Sequence, residues 1–246
     1  MKKLILFLCL IITLTGCVRY DVEVKFPEAN SGTMIQHIKL GEELTSFSDG
    51  EGNAWLNNLQ NKAIQLQGKT KRISREELVV TIPFHNGEEL VDKFNQFFVP
   101  QLSKKSQKNL AKNNSSNLLE LEAKMSIKQN NLLLLERNTL HFNADLSPLG
   151  VISNDGTIII SSGDLIDLRI QFNFPWGAKL INNNEFPKWE KTPNNQYTIQ
   201  LEAGQINDLT AIFWLPNYVG LGTMAITLFV LLGYFLKYKK LPLINL

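Results

Sequence analysis

The sequence predicts an α+β protein: an antiparallel sheet with two helices packed on it, followed by further β-strands and one C-terminal transmembrane helix. Three observations support this fold class. Apolar and polar residues alternate along much of the chain, two segments instead show helical spacing, and an uncharged apolar run occupies residues 219–236. In α+β proteins the helices cover one face of an antiparallel sheet.

The apolar run near the C-terminus predicts a membrane span. Its eighteen residues carry no charge, and a helix of this length covers roughly 27 Å, close to the thickness of the hydrocarbon core. Aromatic residues favour the membrane interface and lysines favour the cytoplasmic side, so the tail is expected in the cytoplasm. The predicted membrane-interface residues are Trp214, Tyr218, Lys237, Lys239 and Lys240.

The N-terminus has the features of an export signal. Lys2 and Lys3 precede an apolar run from Leu4 to Leu14, which is short for a membrane span. The tetrad Leu14-Thr15-Gly16-Cys17 resembles the lipobox of bacterial lipoproteins. That resemblance implies a diacylglyceryl group on the Cys17 thiol and cleavage just before it. The alternatives are a permanent first helix, or an ordinary small residue at position 17.

The two termini together predict the topology. A lipid at Cys17 and a helix at the other end would hold residues 18–211 against one membrane on its non-cytoplasmic side. Cys9 would leave with the signal, so the mature chain would have no cysteine pair for a disulfide and no thiols for zinc. The predicted partners are therefore membrane lipids, contacted through Cys17 and the span, and a membrane protein.

The charge of the exported part argues against nucleic acid as a partner. Without Lys2, Lys3 and the three lysines of the tail, 20 of the 25 basic residues remain against 23 acidic ones, a net charge near −3. A nucleic-acid-binding domain carries a basic surface instead.

The first half of the chain reads as β-β-α-β-α. A strand from Val18 to Phe26 is expected to end at Pro27, and Thr33–Leu40 is expected to return after a turn. A helix over residues 51–66 follows a Ser48 cap and would bury Trp55, Leu59 and either Ala63 or Leu66. The later elements are a strand at 75–84 and a helix capped by Asn86 with Leu90, Phe94, Phe97 and Phe98 on its buried side.

The second half is predicted to be strands only, after an exposed polar loop. Its antiparallel sheet is expected to follow the first sheet, with continuation of that sheet as one alternative. The predicted strands cover residues 119–127, 132–142, 151–152, 158–160, 165–174, 197–201 and 209–214, with a turn at Asn130-Asn131.

These elements predict six consecutive regions. They are a signal peptide at 1–16, an α+β domain at 17–100, an exposed loop at 101–117, a β-rich part of the ectodomain at 118–214, a transmembrane helix at 215–237 and a cytoplasmic tail at 238–246.

Two parts of the chain resemble families of exported proteins. The start, Gly16-Cys17-Val18-Arg19-Tyr20-Asp21-Val22-Glu23-Val24, and the elements through Phe98 resemble the LppM-like domain of bacterial lipoproteins. This resemblance implies an α+β domain with an apolar cavity and a role in handling lipid. The segments Phe174-Pro175-Trp176-Gly177, Gly204-Gln205-Ile206-Asn207 and Phe213-Trp214-Leu215-Pro216-Asn217 resemble a cyanobacterial and plastid family of membrane proteins. This resemblance implies a photosynthetic membrane context, and the expected location is a plasma or thylakoid membrane.

The sequence contains little that indicates catalysis. His37, His85 and His141 lie far apart without metal-site spacing, and structural roles are expected for them. Ser161 lacks the glycines of a nucleophile elbow, and the adjacent carboxylates Glu88 and Glu89 suit helix capping better than acid-base chemistry. No catalytic residue, cofactor or metal is predicted.

Two tryptophans leave an alternative open. Trp176 and Trp189 lie in proline-containing segments, where they could touch the membrane or a partner. Core packing is the favoured interpretation, since tryptophan is usually well buried.

The function predicted from the sequence is that of a membrane-anchored lipoprotein without enzymatic activity. Its extracytoplasmic α+β domain would act as a scaffold or assembly factor for a membrane complex. The alternatives are a module that binds or carries lipid or another apolar ligand, and an unrecognised hydrolase.

Overall fold

The structure is a computed structural model, and it describes residues 18–41, 49–98, 122–147, 153–154, 157–158, 166–181 and 187–239. Within them the chain forms thirteen strands and three helices, which confirms the predicted α+β class. The third helix is long and apolar enough to span a membrane.

The elements follow the predicted order, with additional short strands. The strands are β1 (Val18–Glu28), β2 (Ser31–Lys39), β3 (Lys69–Arg72), β4 (Glu77–Phe84), β5 (Glu122–Asn131), β6 (Leu135–Asp145), β7 (Ser153–Asn154), β8 (Thr157–Ile158), β9 (Ile166–Asn173), β10 (Ala178–Ile181), β11 (Lys188–Lys191), β12 (Gln196–Gln200) and β13 (Ile206–Pro216). The helices are α1 (Asp49–Gln65), α2 (Gly87–Phe98) and α3 (Tyr218–Tyr238).

Two sheets form the body of the domain. The larger has seven strands in the order β11-β12-β9-β1-β2-β4-β3, and the smaller has four in the order β10-β13-β6-β5. Strands from both halves of the sequence therefore share the larger sheet. The pairing of β1 with β9 is parallel, from Val18 opposite Ile166 to Lys25 opposite Asn173, whereas the sequence predicted antiparallel pairing throughout.

The β1–β2 hairpin follows from its alternating pattern. Each second residue of β1 is buried, and Val24 pairs with Met34 on β2. The prediction that Pro27 ends the first strand is wrong, because β1 continues to Glu28 through an irregularity in the pairing after Lys25. A proline is tolerated at such an irregular position, where the ladder does not need its missing N–H.

The amphipathic helix α2 forms as predicted. The Asn86 side chain accepts a hydrogen bond from the Glu89 backbone N–H at 2.8 Å, which is the predicted N-cap. Leu90, Phe94 and Phe97 are fully buried, with Phe98 partly buried beside them. The Phe94 ring meets Phe142 of β6 edge to face, so α2 packs between the two sheets.

The first helix is shifted in its buried face. Leu56 is fully buried and Trp55 only partly, although Trp55 was predicted on the buried side. Leu59 and Ala63 are buried as predicted. The predicted Ser48 cap lies outside the described residues.

Aromatic side chains join the two sheets at the end where β1 and β13 terminate. The Phe174 ring lies 4.2 Å from Phe213 of β13 and stacks 5.6 Å from Phe26 of β1. Such ring pairs contribute about 0.5–1.5 kcal/mol each beyond the burial of their area. The two sheets are therefore firmly attached to each other near the start of α3.

The β5–β6 connection differs from its prediction. The turn comprises residues 132–134, after the predicted Asn130-Asn131, and β6 starts at Leu135 and not at Leu132. Leu133 adopts a positive φ of 70°. The sequence pattern was misleading because four consecutive leucines are typical of a strand, although the first two of them are exposed in the turn.

A candidate membrane-contact surface

Helix α3 has the length and composition of a membrane span. It comprises 21 residues, of which the most apolar 18 have a mean hydropathy of 2.1, and no other helix among the described residues is both as long and as apolar. At 1.5 Å per residue it covers roughly 31 Å, the thickness of a hydrocarbon core. Its side chains are almost all exposed; Gly220 alone is buried among the residues of α3. The helix therefore leaves the domain instead of packing against it.

Asn217 attaches the helix to the domain. Its side-chain oxygen accepts a hydrogen bond from the Gly220 N–H at 3.1 Å and caps the first turn. Its backbone N–H donates to the Leu134 carbonyl at 2.9 Å, and its side-chain amide lies 3.4 Å from the Asn131 oxygen. These contacts connect the start of the span to the β5–β6 turn.

Gly220 permits a close approach of two backbones. A Cβ built at this position would lie 1.7 Å from the Leu133 carbonyl oxygen, which no side chain can tolerate. The helix can therefore rest against the β5–β6 turn only if position 220 is glycine.

Five exposed apolar side chains surround the start of α3, and we call them the collar. They are 37% to 66% exposed: Leu132, Leu133, Trp176, Trp214 and Tyr218. Several large apolar side chains exposed at one end of a domain indicate a surface that contacts a membrane or another protein.

The pairing of the smaller sheet places the collar at one end of the domain. Pro216 lies opposite Leu135, just beyond the β5–β6 turn. Phe213 lies opposite Ala178 on the other side of β13, so Trp176 reaches about the level of Leu215. The collar therefore extends across this sheet on both sides of the strand that enters α3.

The larger sheet ends at the same level. The Ala29 N–H, which follows β1, donates to the Pro216 carbonyl at 3.2 Å. Beside it lies an open cleft of about 320 Å³ bordered by Lys25, Pro27 and Asn173. Both sheets thus contribute to the end from which α3 leaves.

The predicted interface residues occupy both ends of the span. Trp214 and Tyr218 belong to the collar, while Lys237 lies in the last turn with its ammonium group 5.1 Å from the Tyr238 ring. Lys239 closes the helix with a left-handed φ of 49°, and its N–H donates to the Phe235 carbonyl at 2.7 Å. Lys240 and the predicted lipidation residue Cys17 lie outside the described residues.

The favoured interpretation of the two loop tryptophans is wrong. Trp176 is 56% exposed and belongs to the collar, and Trp189 is 45% exposed on β11. Trp189 contacts the Tyr197 ring at 6.1 Å but leaves much of its surface in solvent. Composition could not reveal this, because β11 is an edge strand whose four residues are all exposed.

An apolar cavity lies between α2 and the two sheets. Phe98, Phe142, Leu168 and Leu201 are among its lining residues, and its volume is about 20 Å³. Such a volume holds about one water molecule. At its edge the buried Tyr20 hydroxyl donates to the Gln36 side-chain oxygen at 2.6 Å, and burial raises the pKa of Tyr20.

The three histidines are far apart and each contacts a carboxylate. His37 lies 2.6 Å from Glu77, His85 is 2.9 Å from Glu89, and His141 is 3.3 Å from Asp208. No group of three or more metal-ligating side chains occurs in the part of the chain that the structure describes.

The Glu89 carboxylate on helix α2 has a strongly lowered pKa. Its pKa is lowered to about 2, chiefly by the hydrogen bond from Lys93 and also by the His85 N–H. Lys93 in turn donates to the Pro83 carbonyl at 2.7 Å. These bonds fasten the first turn of α2 to the end of β4, which explains the perturbation without a catalytic role.

The fold and the collar define a protein class: an α+β domain, built on two sheets, with a C-terminal helix able to span a membrane. The chain belongs to the family described as "Protein of unknown function (DUF3153)", which matches residues 23–242.

The chain is also similar to one solved structure, the folded domain of the LppM protein of Mycobacterium tuberculosis. The identity is 12%, the TM-score is 0.44, and the similarity covers 83% of this chain and 94% of the LppM domain. The predicted resemblance to an LppM-like domain is confirmed. The resemblance to a cyanobacterial and plastid family stays a prediction. No curated protein matches the sequence.

Proposed function

We propose that this protein is a membrane-anchored lipoprotein, acylated at Cys17, whose domain acts as a noncatalytic scaffold or assembly factor for a membrane complex. The observation that carries the proposal is the collar around the start of α3. A soluble domain would expose these five side chains to water, whereas the interfacial region of a bilayer accommodates leucine, tryptophan and tyrosine.

Anchoring at a membrane raises the effective concentration of the domain toward other membrane proteins. A protein held at a bilayer searches a thin layer instead of a volume, so its effective concentration toward other membrane proteins rises without any new contact. The domain lies on the non-cytoplasmic side in this proposal, because the lysines that follow α3 favour the cytoplasm.

Trp189 supplies a candidate contact for the partner. It lies on β11, the exposed edge of the seven-stranded sheet, and is not part of the collar. Tryptophan is enriched where protein interfaces gain most of their binding energy, and Trp189 is 45% exposed. We therefore assign the β11 edge to a membrane-protein partner.

Site-specific photocrosslinking tests this assignment. A photoreactive phenylalanine analogue replaces Trp189 in the full-length chain in its native membrane, and Lys128, exposed on β5, serves as the control position. The expected result is one stoichiometric protein adduct from position 189 and none from position 128. The same adducts from both positions, or none from position 189, would contradict the scaffold function.

The carrier alternative has less support in the described residues. The apolar cavity between α2 and the two sheets has a volume of about 20 Å³, which leaves no room for an acyl chain. Native mass spectrometry of the detergent-released protein addresses it, and a stoichiometric co-purifying lipid beyond the one on Cys17 would favour a carrier.

A further inference from the structure

We propose that the domain stands upright on the bilayer that α3 enters, with its Val18 end roughly 30 Å away, and that the lipid on Cys17 inserts into a second, facing bilayer. The inference rests on the acylation of Cys17 in the proposed function. It departs from the expectation that both anchors share one membrane.

Strand β1 separates the two anchors. Its eleven residues run from Val18, the residue bonded to Cys17, to Glu28, next to the Ala29–Pro216 hydrogen bond at the base of α3. At about 3.3 Å per residue this strand covers roughly 30 Å. Because β1 starts at Val18 and is paired with β2 and β9 from its first residues, no slack remains in which residue 18 could return to the collar.

The collar indicates that the strands point toward the bilayer. Its members come from the β5–β6 turn, the turn before β10, the end of β13 and the first turn of α3, all at one end of the domain. A domain lying on its side would instead present one broad face to the lipid.

The outer face of the larger sheet is unsuited to contact with lipid. It carries ion pairs along its length: Arg19 with Asp21 at 2.6 Å, Lys25 with Glu23 at 3.0 Å and Arg169 with Asp167 at 2.7 Å. Pressing these groups into a bilayer would remove their water at a cost of several kcal/mol for each buried charge.

The outer face of the smaller sheet is polar as well. His141, Asn143 and Asp208 lie there in mutual contact, with the Asn143 amide 3.1 Å and the His141 ring 3.3 Å from the Asp208 carboxylate. Neither broad face is therefore apolar, and the upright orientation keeps both in water.

The far end offers its own contacts to a second surface. Ile73 follows β3 and Ile206 begins β13, and both are about half exposed at the end opposite the collar. Isolated apolar side chains of this kind suit the headgroup region of a bilayer, into which the Cys17 acyl chains would extend.

The orientation can be measured with two labels at opposite ends of β2. Cys9 and Cys17 are the only cysteines, so in the mature lipoprotein Lys39→Cys or Asn30→Cys introduces the only free thiol. Both positions are exposed; Lys39 pairs with Arg19 at the far end, and Asn30 lies in the β1–β2 turn beside the collar. Each variant of the full chain is labelled with a donor dye in vesicles that contain acceptor lipids, and any facing vesicles contain none, so that energy transfer reports only the distance to the bilayer that α3 enters.

The upright orientation predicts efficient energy transfer from position 30 and clearly weaker transfer from position 39, which is roughly 30 Å further from the bilayer. Equal transfer from the two positions would overturn the proposal. Circular dichroism of both labelled variants shows whether the fold is intact.

A capture assay tests the second bilayer. Vesicles that carry the acylated protein are mixed with protein-free vesicles that contain anionic and neutral lipids, and the control is the chain from residue 17 with Cys17→Ala. Capture by the acylated protein alone is expected. No capture, or a mass spectrum of the mature chain without acyl groups, would overturn the bridging role. Either result is distinct from failure of the scaffold function, which the Trp189 crosslink reports independently.

Discussion

At the scale of single residues, the pair of Tyr20 and Gln36 shows what a buried polar group costs. Both side chains lie in the core, and the Tyr20 hydroxyl reaches the Gln36 oxygen while the Gln36 amide nitrogen has no hydrogen-bond partner among the described residues. A buried group with unmet hydrogen bonds costs about 1–3 kcal/mol. The single bond between the two residues is therefore important to the stability of the core.

We predict that Tyr20→Phe lowers the free energy of unfolding by about 1–3 kcal/mol, because the buried Gln36 side-chain oxygen loses the hydrogen bond from the Tyr20 hydroxyl. Adding Gln36→Leu should recover most of that loss, since it removes the unsatisfied amide as well. Denaturant unfolding of the variants in detergent measures both values. A double variant as unstable as Tyr20→Phe alone would show that the ring environment, not the hydrogen bond, determines the effect.

The contact between Gly220 and Leu133 provides a second test at this scale. Gly220→Ala places a Cβ on the Leu133 carbonyl, so we predict a loss of about 1–3 kcal/mol and a wider separation between α3 and the β5–β6 turn. Gly222→Ala is the matched control, because a Cβ there meets nothing within 4 Å. Thermal unfolding in bicelles measures the stability of both variants. An equal loss in the two would show that the effect comes from replacing any helical glycine, and not from the contact with Leu133.

At the scale of elements, helix α2 is held by its first turn. The Glu89 carboxylate accepts bonds from Lys93 and from the His85 N–H, which lowers its pKa to about 2 from 4.5. A carboxylate whose pKa is depressed in the folded state stabilises that state fully above its unfolded pKa. This contribution is lost as the pH falls from about 4.5 toward 2.

We predict that Glu89→Gln lowers stability at pH 7 by about 1–2 kcal/mol, less than the full pKa difference implies because the side chain is partly exposed. The difference from the unaltered protein should shrink below pH 4.5, which urea titrations at several pH values can follow. Glu88→Gln removes the same charge from the same turn at an exposed position and should have little effect. A pH-independent difference at Glu89 would rule out the titration as its cause.

Elements with a strong hydrophobic period were predicted from the sequence. Elements that form only by pairing with another strand were missed. The alternation in β1 and the helical spacing of Leu90, Phe94 and Phe97 were sufficient, because one face of each is buried. Strand β3 was missed because Lys69-Thr-Lys-Arg has no apolar side, and it exists only through its pairing with β4. The parallel β1–β9 pairing joins distant segments, and no local pattern encodes it.

At the scale of the whole molecule, the arrangement of the collar was only half visible in the sequence. Trp214 and Tyr218 directly precede the apolar run, so their place at the start of α3 could be predicted from distance along the chain. Leu133 and Trp176 are far away in sequence and reach the same end only through the strand pairing beside β13. From the sequence alone, apolar residues in turns cannot be told from core residues. Only the fold shows that these turns lie at the end of the domain from which α3 leaves.

The domain boundaries stay predictions, but the structure shows that strands from both predicted segments lie in one sheet. Because β9 and β12 continue the sheet begun by β1 and β2, the segments predicted as 17–100 and 118–214 share a core. We therefore expect neither segment to fold alone. Proteolysis between them should leave the two fragments associated, as size-exclusion chromatography in detergent would show.

The central claim is that the collar lies at the surface of the bilayer that α3 crosses. The four tryptophans measure it directly in full-length variants that keep only one of Trp55, Trp176, Trp189 and Trp214, with phenylalanine at the other three positions. In vesicles with brominated lipids, fluorescence should be quenched for Trp176 and Trp214 and unchanged for Trp55 and Trp189. Trp189 is the informative control, because it is nearly as exposed as Trp176 and differs in position. Quenching of Trp189 as strong as that of Trp176, or no quenching of Trp214, would contradict the claim.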